Sequence, residues 1–521
     1  MKRLIALGGV FAVMAVAATA TDCGAQSVKT TGSGASESLA ARIERIENSL
    51  GPSIRIKGGR VRSIHELMEQ FKVPGLAVAV INNYEIEWVK GYGVTDAVSK
   101  QPVTDETLFQ AASISKPVAA VIALHLFEEG VLDLDSDVNE KLRSWKVPEN
   151  EFTREEKVTV RRILSHTAGL TGSGFHGYAE GEAVPNILQV LDGKEPANNA
   201  PIRVDVVPGS MFRYSGGGYT VLQLLIEDVT GEPLHELAQK LVFEPLGMDH
   251  SSFQKPLPEA LLAKTSSGHL LDGSPMTGHW FLDKGSTCCG LWTTPADLAR
   301  FAIAIQKSLR GESNKSLTAE TARLMVTPQP PSPVGLGMFV EQRDGAIYFQ
   351  HSGGNPGFVC VLVAGAEGGK GAAVMTNSDN GGELCQQLVQ AIAFEYQWSE
   401  HPIREYESID DALDTFRKLK RDTPDDAEFS EGYLNRIGYE ILRAQDYETA
   451  IALLRLNVEF YPKSANVYDS LAEGYMTGGN KEKAVEFYRK ALATLDQYPE
   501  ENKRNERLRE SIPKQLEKLG Q

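Results

Sequence analysis

Beyond its first eighteen residues the chain has no apolar run long enough to cross a bilayer. It also lacks any run of basic residues, and 69 acidic against 53 basic side chains leave a net charge of −16. Such a surface repels phosphate backbones and anionic lipid, which argues against nucleic-acid or membrane binding as the main activity. No Cys-x-x-Cys, His-Glu-x-x-His or other close ligand set occurs, so metal catalysis has no support and nothing calls for a cofactor. The Gly-x-Ser-x-Gly elbow of α/β-hydrolases is missing too. Cysteine is scarce: Cys23, Cys288, Cys289, Cys360 and Cys385 are all there is among 521 residues. A chain this long, 42% hydrophobic, can bury a full core without disulfides, and spacing alone does not reveal pairing, so buried thiols are expected.

What is present begins with Met1-Lys2-Arg3 and an apolar stretch from Leu4 to Ala18. A basic start, a short apolar centre and small residues after it predict an export signal over 1–25, cleaved after Ala20 or Ala25. Asp22 before Cys23 does not fit lipoprotein processing, so the expected product is unanchored, with no membrane span after cleavage, and periplasmic or secreted. Residues 26–63 read as a linker, rich in Gly, Ser and Thr from Thr30 to Ser36, followed by a helix from Ser38 to Leu50. The folded unit is expected over 64–400. Gly75 to Ile81 and Glu85 to Gly91, parted by Asn82-Asn83, predict a β-hairpin. Helices and loops follow to about Thr327, including Pro233 to Phe243 and Pro295 to Leu309. Short strands then return at Gly335 to Val340, Ala346 to His351, Phe358 to Ala364 and Gly371 to Thr376, before a helix from Leu384 to Trp398. Strands at both ends of a helical insertion imply an α+β fold: one antiparallel sheet with flanking helices and a helical subdomain.

From about Asp410 the strand patterns stop. Residues 401–430 read as a linker, and 431–521 as an all-α repeat domain. Leu434, Gly438, Ala450, Leu454 and Pro462 are matched 34 residues later by Tyr468, Ala472, Ala484, Tyr488 and Asp496. That period resembles tetratricopeptide repeats, closed by a charged helix from Asn502 to Leu519; an unrelated helical bundle is the alternative. A protein partner could bind such repeats.

The chemistry is sought in Ser113-Ile114-Ser115-Lys116, which opens an apolar run from Val118 to Phe127. Positions three apart on a helix share a face, so Lys116 can stand beside the Ser113 hydroxyl. A lysine pressed into a dry helix start can lose its proton and act as base to the serine. Two other Ser-x-x-Lys spacings, at Ser252 and Ser511, are followed closely by Pro256 and Pro513 and do not open an apolar helix. Tyr214-Ser215-Gly216 leads into a second apolar helix, and His351-Ser352-Gly353-Gly354 stands where one strand ends and its backbone amides could face an oxyanion.

Together with Ile163-Leu164-Ser165-His166-Thr167-Ala168-Gly169-Leu170 and Gly290-Leu291-Trp292-Thr293-Thr294-Pro295-Ala296-Asp297-Leu298, these motifs resemble the penicillin-recognising serine hydrolases. The similar branch is that of class C β-lactamases, D-amino-peptide hydrolases and esterases, and the resemblance covers Ile64 to Trp398. It implies a β-lactamase/transpeptidase-like fold, an acyl-enzyme on Ser113, proton transfer by Lys116 and Tyr214, and an oxyanion hole from the amides of Ser113 and Gly354. It implies that His351 lines the pocket, though a structural strand histidine fits the residue type equally, and that His166 holds its loop. Two departures stand out. Gly216 occupies a position where many relatives have Asn, and His351 replaces a lysine. Both remove contacts to a peptide or β-lactam, so esterase or D-peptidase activity is expected above β-lactamase activity, on a small ester, amide or peptide. The competing reading is a slow penicillin-binding or sensor module whose repeats hold a protein partner.

Overall fold

The computed structural model describes residues 38–281, 286–312, 317–343, 345–398, 403–424 and 429–520. The expected export signal lies outside the described residues. Two compact units emerge, one of 64–392 with Trp398, the other of 38–63, 393–397 and the chain from 403 onward.

The second unit holds the first two elements, α1 (Leu39–Glu47) and β1 (Ile54–Ile56); the first unit begins with α2 (Ile64–Phe71). Its strand β2 (Gly75–Asn82) is apolar along nearly its whole length and buried on both faces. A tight turn at Asn83 and Tyr84, both with left-handed φ (+53° and +64°), returns the chain as β3 (Glu85–Gly93). The two-residue strand β4 (Phe109–Gln110) then delivers the chain to a 3₁₀ turn at Ala112–Ile114 and to helix α3 (Ser115–Glu128). Helix α3 is apolar almost all round and buried along nearly its whole length, which makes it the central helix of the unit. Helix α4 (Gly216–Thr230) is capped by the Ser215 hydroxyl, which accepts from the Gly218 amide at 2.8 Å. After the short α5 (Ser286–Cys289) comes β5 (Trp292–Thr293), which pairs with β4. Helix α6 (Pro295–Leu309), capped by Thr294, packs on the sheet.

Strands β6 (Phe339–Arg343), β7 (Ala346–Asn355), β8 (Phe358–Gly365) and β9 (Gly371–Thr376) complete that sheet. Among the described residues it has six strands, ordered β3-β2-β9-β8-β7-β6, and every neighbouring pair is antiparallel. The β2–β9 pairing joins the start of the unit to its end around the helical insertion, the expected α+β arrangement. Three details differ from the sequence reading. Strand β7 runs on to Asn355, because Ser352 to Asn355 keep pairing with β8. Strand β6 starts at Phe339, preceded by Gly337 with φ +99°, where a Cβ would meet the Ala120 side chain of α3 at 2.5 Å. The helix expected over Pro233 to Phe243 changes to a π turn after Ala238.

Helix α7 (Gly381–Glu395) closes the first unit and runs into the second. In the second unit β10 (Arg404–Tyr406) pairs in parallel with β1, Ile54 opposite Arg404. Helices α8 (Ile409–Asp422), α9 (Glu431–Arg443), α10 (Tyr447–Phe460), α11 (Ala465–Thr477), α12 (Lys481–Gln497) and α13 (Leu508–Lys518) follow. The helix expected from Ser38 is α1, while the stretches read as linkers on either side of the sheet unit, within 26–63 and 401–430, also contain β1, β10 and α8. Their anchoring is specific: buried Glu440 on α9 accepts from the amide of Ser53 at 2.5 Å and from its hydroxyl at 3.1 Å. The Tyr439 hydroxyl on α9 donates to Glu473 on α11 at 2.6 Å. Gly438 lies against Leu454, where a Cβ would come within 2.6 Å, so the small residue lets α9 and α10 approach. Ser511 sits exposed inside α13, which accommodates Pro513.

Candidate active site

The nucleophile stretch is held from both sides. The Ala111 amide donates to Leu291 O at 2.9 Å, extending the β4–β5 ribbon, and the Ser115 hydroxyl donates to Ala112 O at 2.6 Å while accepting from the Leu291 amide at 3.0 Å. Between these clamps Ala112 takes a left-handed φ of +46°, a conformation that costs an L-residue on the order of 1 kcal/mol or more. The strain is tolerated because the clamps on either side fix the turn. It leaves Ser113 half-buried at the mouth of α3.

Lys116, one turn on, is 2% exposed. Its Nζ donates to Ser113 Oγ at 3.1 Å and to the Cys288 carbonyl at 2.7 Å. The carbonyl comes from α5, which Thr287 pins to α4 by donating its hydroxyl to Tyr219 O at 2.6 Å. On its other side Nζ lies 4.9 Å from the centre of the Tyr214 ring and 5.7 Å from that of Tyr219. Burial acts to strip the proton from Lys116, but Tyr214 first, then Cys288 and Cys289, act the other way, and its pKa lies above that of an ordinary lysine. Tyr214, Cys288 and Cys289 thus work against the release of the proton that burial favours.

Tyr214 precedes the cap of α4 and is set by His166. The ring of His166, which has a left-handed φ of +57°, lies 4.3 Å from the Tyr214 ring, and its Nδ1 accepts from the Ser215 amide at 3.1 Å. The Arg213 amide donates to the His166 carbonyl at 2.8 Å, so His166 grips both sides of Tyr214. Burial, then the charge of Lys116, holds the His166 pKa well below its usual value, and the imidazole stays neutral. Gly216 begins α4 against the 172–175 loop; a Cβ there would meet Ser173 O at 3.3 Å and the Phe175 ring at 3.4 Å.

Strand β7 supplies the remaining wall. Strand β6 ends its pairing at Phe339 opposite Gln350, so among the described residues, 351–355 pair with β8 alone and leave their other edge without a strand partner. Gly353 packs against the nucleophile stretch, and a Cβ there would lie 2.2 Å from Ala111 O. Gly354 has open space where a side chain would project, and Ser352 is exposed. His351 is buried, 6.4 Å ring to ring from Tyr214; its Nδ1 pairs with Ser352 O at 2.7 Å. That bond requires a proton on Nδ1 and leaves Nε2, buried and without a hydrogen-bond partner, as an acceptor. Burial, then Lys116, pushes the His351 pKa down to about 3. The end of β7 is tied to the nucleophile stretch as well: Asn355 Nδ2 donates to Gln110 Oε1 at 2.7 Å and to Cys289 O at 3.2 Å.

The structure thus brings Ser113, Lys116, Tyr214 and His351 to one point, with Gly353 and Gly354 beside them. Residue types alone gave no sign of the Cys288 carbonyl, a backbone acceptor, or of the clamp made by Ser115. Ser252 is engaged elsewhere, its amide donating to Trp292 O at 2.9 Å.

A serine and a buried lysine at the head of a central helix, flanked by a tyrosine and an open-edged strand, define a class: hydrolases that use an active-site serine. The family model described as Beta-lactamase matches residues 61–394, more than half of the chain, and the protein belongs to that family. Among curated relatives, it is 31% identical over 216 residues to the unguisins hydrolase UngD of Aspergillus violaceofuscus, covering 38% of this chain and only 35% of that one. It is 27% identical over 326 residues to penicillin-binding protein 4 of Amycolatopsis lactamdurans, covering 60% of this chain and 82% of the relative. Of solved structures, the octameric penicillin-binding protein homologue from Pyrococcus abyssi has the same fold, with a TM-score of 0.51 at 24% identity over 67% of this chain and 80% of its own.

Proposed function

We propose that this serine hydrolase is exported to the periplasm or beyond and works through an acyl-enzyme on Ser113, on small esters or D-amino peptides in preference to β-lactams. One observation carries the mechanism: Lys116 Nζ bridges Ser113 Oγ at 3.1 Å and the Cys288 carbonyl at 2.7 Å, with Tyr214 alongside. In the form of the site in which the Lys116–Tyr214 pair has released one proton, the Ser113 hydroxyl gives its proton to that pair as it attacks the substrate carbonyl, and the pair passes it to the leaving group. Water then repeats the exchange and frees the acid. The amides of Ser113 and Gly354 receive the developing oxyanion, where fixed donors contribute most.

The substrate preference rests on two positions. Gly216 offers no side-chain amide to a peptide group. His351, neutral at physiological pH, offers an acceptor in place of a permanent positive charge that would draw a substrate carboxylate. The decisive experiment incubates the protein with short-chain p-nitrophenyl esters, D-Ala-D-Ala peptides and a cephalosporin, and locates the adduct of a serine-directed phosphonate by mass spectrometry. Ester or D-peptide turnover with the adduct on Ser113 supports the proposal. Absence of turnover on all three, or an adduct elsewhere, refutes it.

A further inference from the structure

Directly beneath the reacting groups lie two consecutive cysteines that the hydrolytic chemistry does not use. Cys288 and Cys289 end α5, and their sulfurs approach to 2.8 Å, closer than non-bonded sulfurs normally come. Cys288 is 1% exposed, whereas Cys289 is half-buried and offers a route for a small reagent. Both lie close enough to Lys116 to influence its charge. Their backbones matter as much as their sulfurs. The Cys288 carbonyl is the anchor of Lys116, and the Cys289 carbonyl accepts from Asn355 at the end of β7.

We propose that Cys288 and Cys289 are a site of reversible oxidation to a disulfide between adjacent residues, and that its closure slows the hydrolase. The oxidant is a small disulfide. The Cys289 thiolate attacks one of its sulfurs and expels a thiolate, giving a mixed disulfide; the Cys288 thiolate then attacks Cys289 Sγ and expels the second. Two protein thiols lose two electrons, the small disulfide becomes two thiols, and the two protons pass to the released thiolates. Closing so small a ring twists the peptide between the cysteines and turns the Cys288 carbonyl away from Lys116. A displacement of about 1 Å in a positioned group can cost on the order of a hundredfold in rate. The slowing rests on the acyl-enzyme reading above; formation of the bond does not.

The full-length protein is treated with oxidised glutathione, alkylated, digested without reductant and examined by mass spectrometry, while turnover of p-nitrophenyl acetate is followed in parallel. The peptide carrying both cysteines is expected to lack two hydrogens and to resist alkylation. Turnover is expected to fall about tenfold or more and to return with dithiothreitol. Cys289→Ser is expected to lose the response to the oxidant, and Cys360→Ser to keep it. Two thiols that both remain alkylatable would overturn the site. A disulfide formed without change in turnover, or equal inhibition of wild type and Cys289→Ser, would overturn its control of the enzyme. Absence of ester turnover in the fully reduced protein would instead count against the acyl-enzyme reading, and the mass measurement would still decide the disulfide.

Discussion

Gly353→Ala is the sharpest test of how β7 is set against the nucleophile. The added Cβ would stand 2.2 Å from the Ala111 carbonyl oxygen and 2.6 Å from Cys360 Sγ. Even a close carbon–oxygen contact needs about 3.3 Å, so strand and nucleophile stretch must part by roughly 1 Å. Neither obstacle is the end of a long flexible side chain: one is backbone, the other a short cysteine on the paired strand β8. Overpacking of this kind costs about 1–3 kcal/mol, which lowers the melting temperature by several degrees. The effect on turnover should be larger. Ala111 adjoins the strained Ala112, and a shift of roughly 1 Å at Ser113 relative to the oxyanion donors predicts a loss near a hundredfold in kcat. Gly354→Ala is the control, since nothing lies within 4 Å of its Cβ: stability should stay within about 0.5 kcal/mol, with the change falling on KM as the methyl enters the cleft. Melting curves and steady-state ester hydrolysis on both variants suffice. If Gly353→Ala melts with the wild type and keeps kcat within about twofold, the close approach does not position the site.

Other variants probe the remaining contacts. Ser113→Ala should abolish phosphonate labelling without lowering the melting temperature, while Ser252→Ala and Ser511→Ala keep the label; a label that survives only the first change would move the nucleophile elsewhere. Lys116→Ala and Tyr214→Phe should each cost about a hundredfold or more in kcat, with the double variant little worse than either, because a proton-transfer pair fails with its first loss; additive small losses would reduce the pair to shaping the pocket. Gly216→Asn should raise amide over ester turnover by about tenfold at most, the worth of one net hydrogen bond, less whatever the 172–175 loop takes in moving aside; an unchanged ratio in a folded protein removes Gly216 from the selectivity. The His351 pKa falls from an ordinary 6.5 to about 3 on folding, so the unfolded chain binds the extra proton between those values. Its stabilising contribution is therefore complete above pH 6.5 and lost as pH falls toward 3, and urea midpoints of His351→Gln should decline less than wild type across that window. Parallel declines would mean that His351 is not held neutral by the fold.

The sheet was legible where residue patterns are long: β2 is eight apolar-rich residues, and the hairpin turn at Asn83 is chemically marked. Strands β4 and β5 have two residues each, too few for any period, yet they fix the turn before Ser113. Spacing placed Lys116 beside Ser113 because one helical turn decides it. The sign of the Lys116 shift was not legible, since it depends on Tyr214 and on α5, 98 and 172 residues away in sequence. The pairing of β1 with β10 was hidden for the same reason: three-residue strands, each inconspicuous, separated by most of the chain.

That last pairing has a consequence for how the chain assembles. Ile54 meets Arg404 across some 350 residues, so the hydrolase is spliced into the helical unit rather than placed before it. Closing an unstructured span of that length costs on the order of 5 kcal/mol, more than one three-residue ladder returns. A folded 64–392 segment shortens the span before the ladder forms, which sets an order of events. The expected order is that the 64–392 unit condenses first and residues 54–56 pair with 404–406 afterwards, which pulsed hydrogen exchange during refolding would check. A defect in the hydrolase core would then surface as a helical unit that never acquires its first strand.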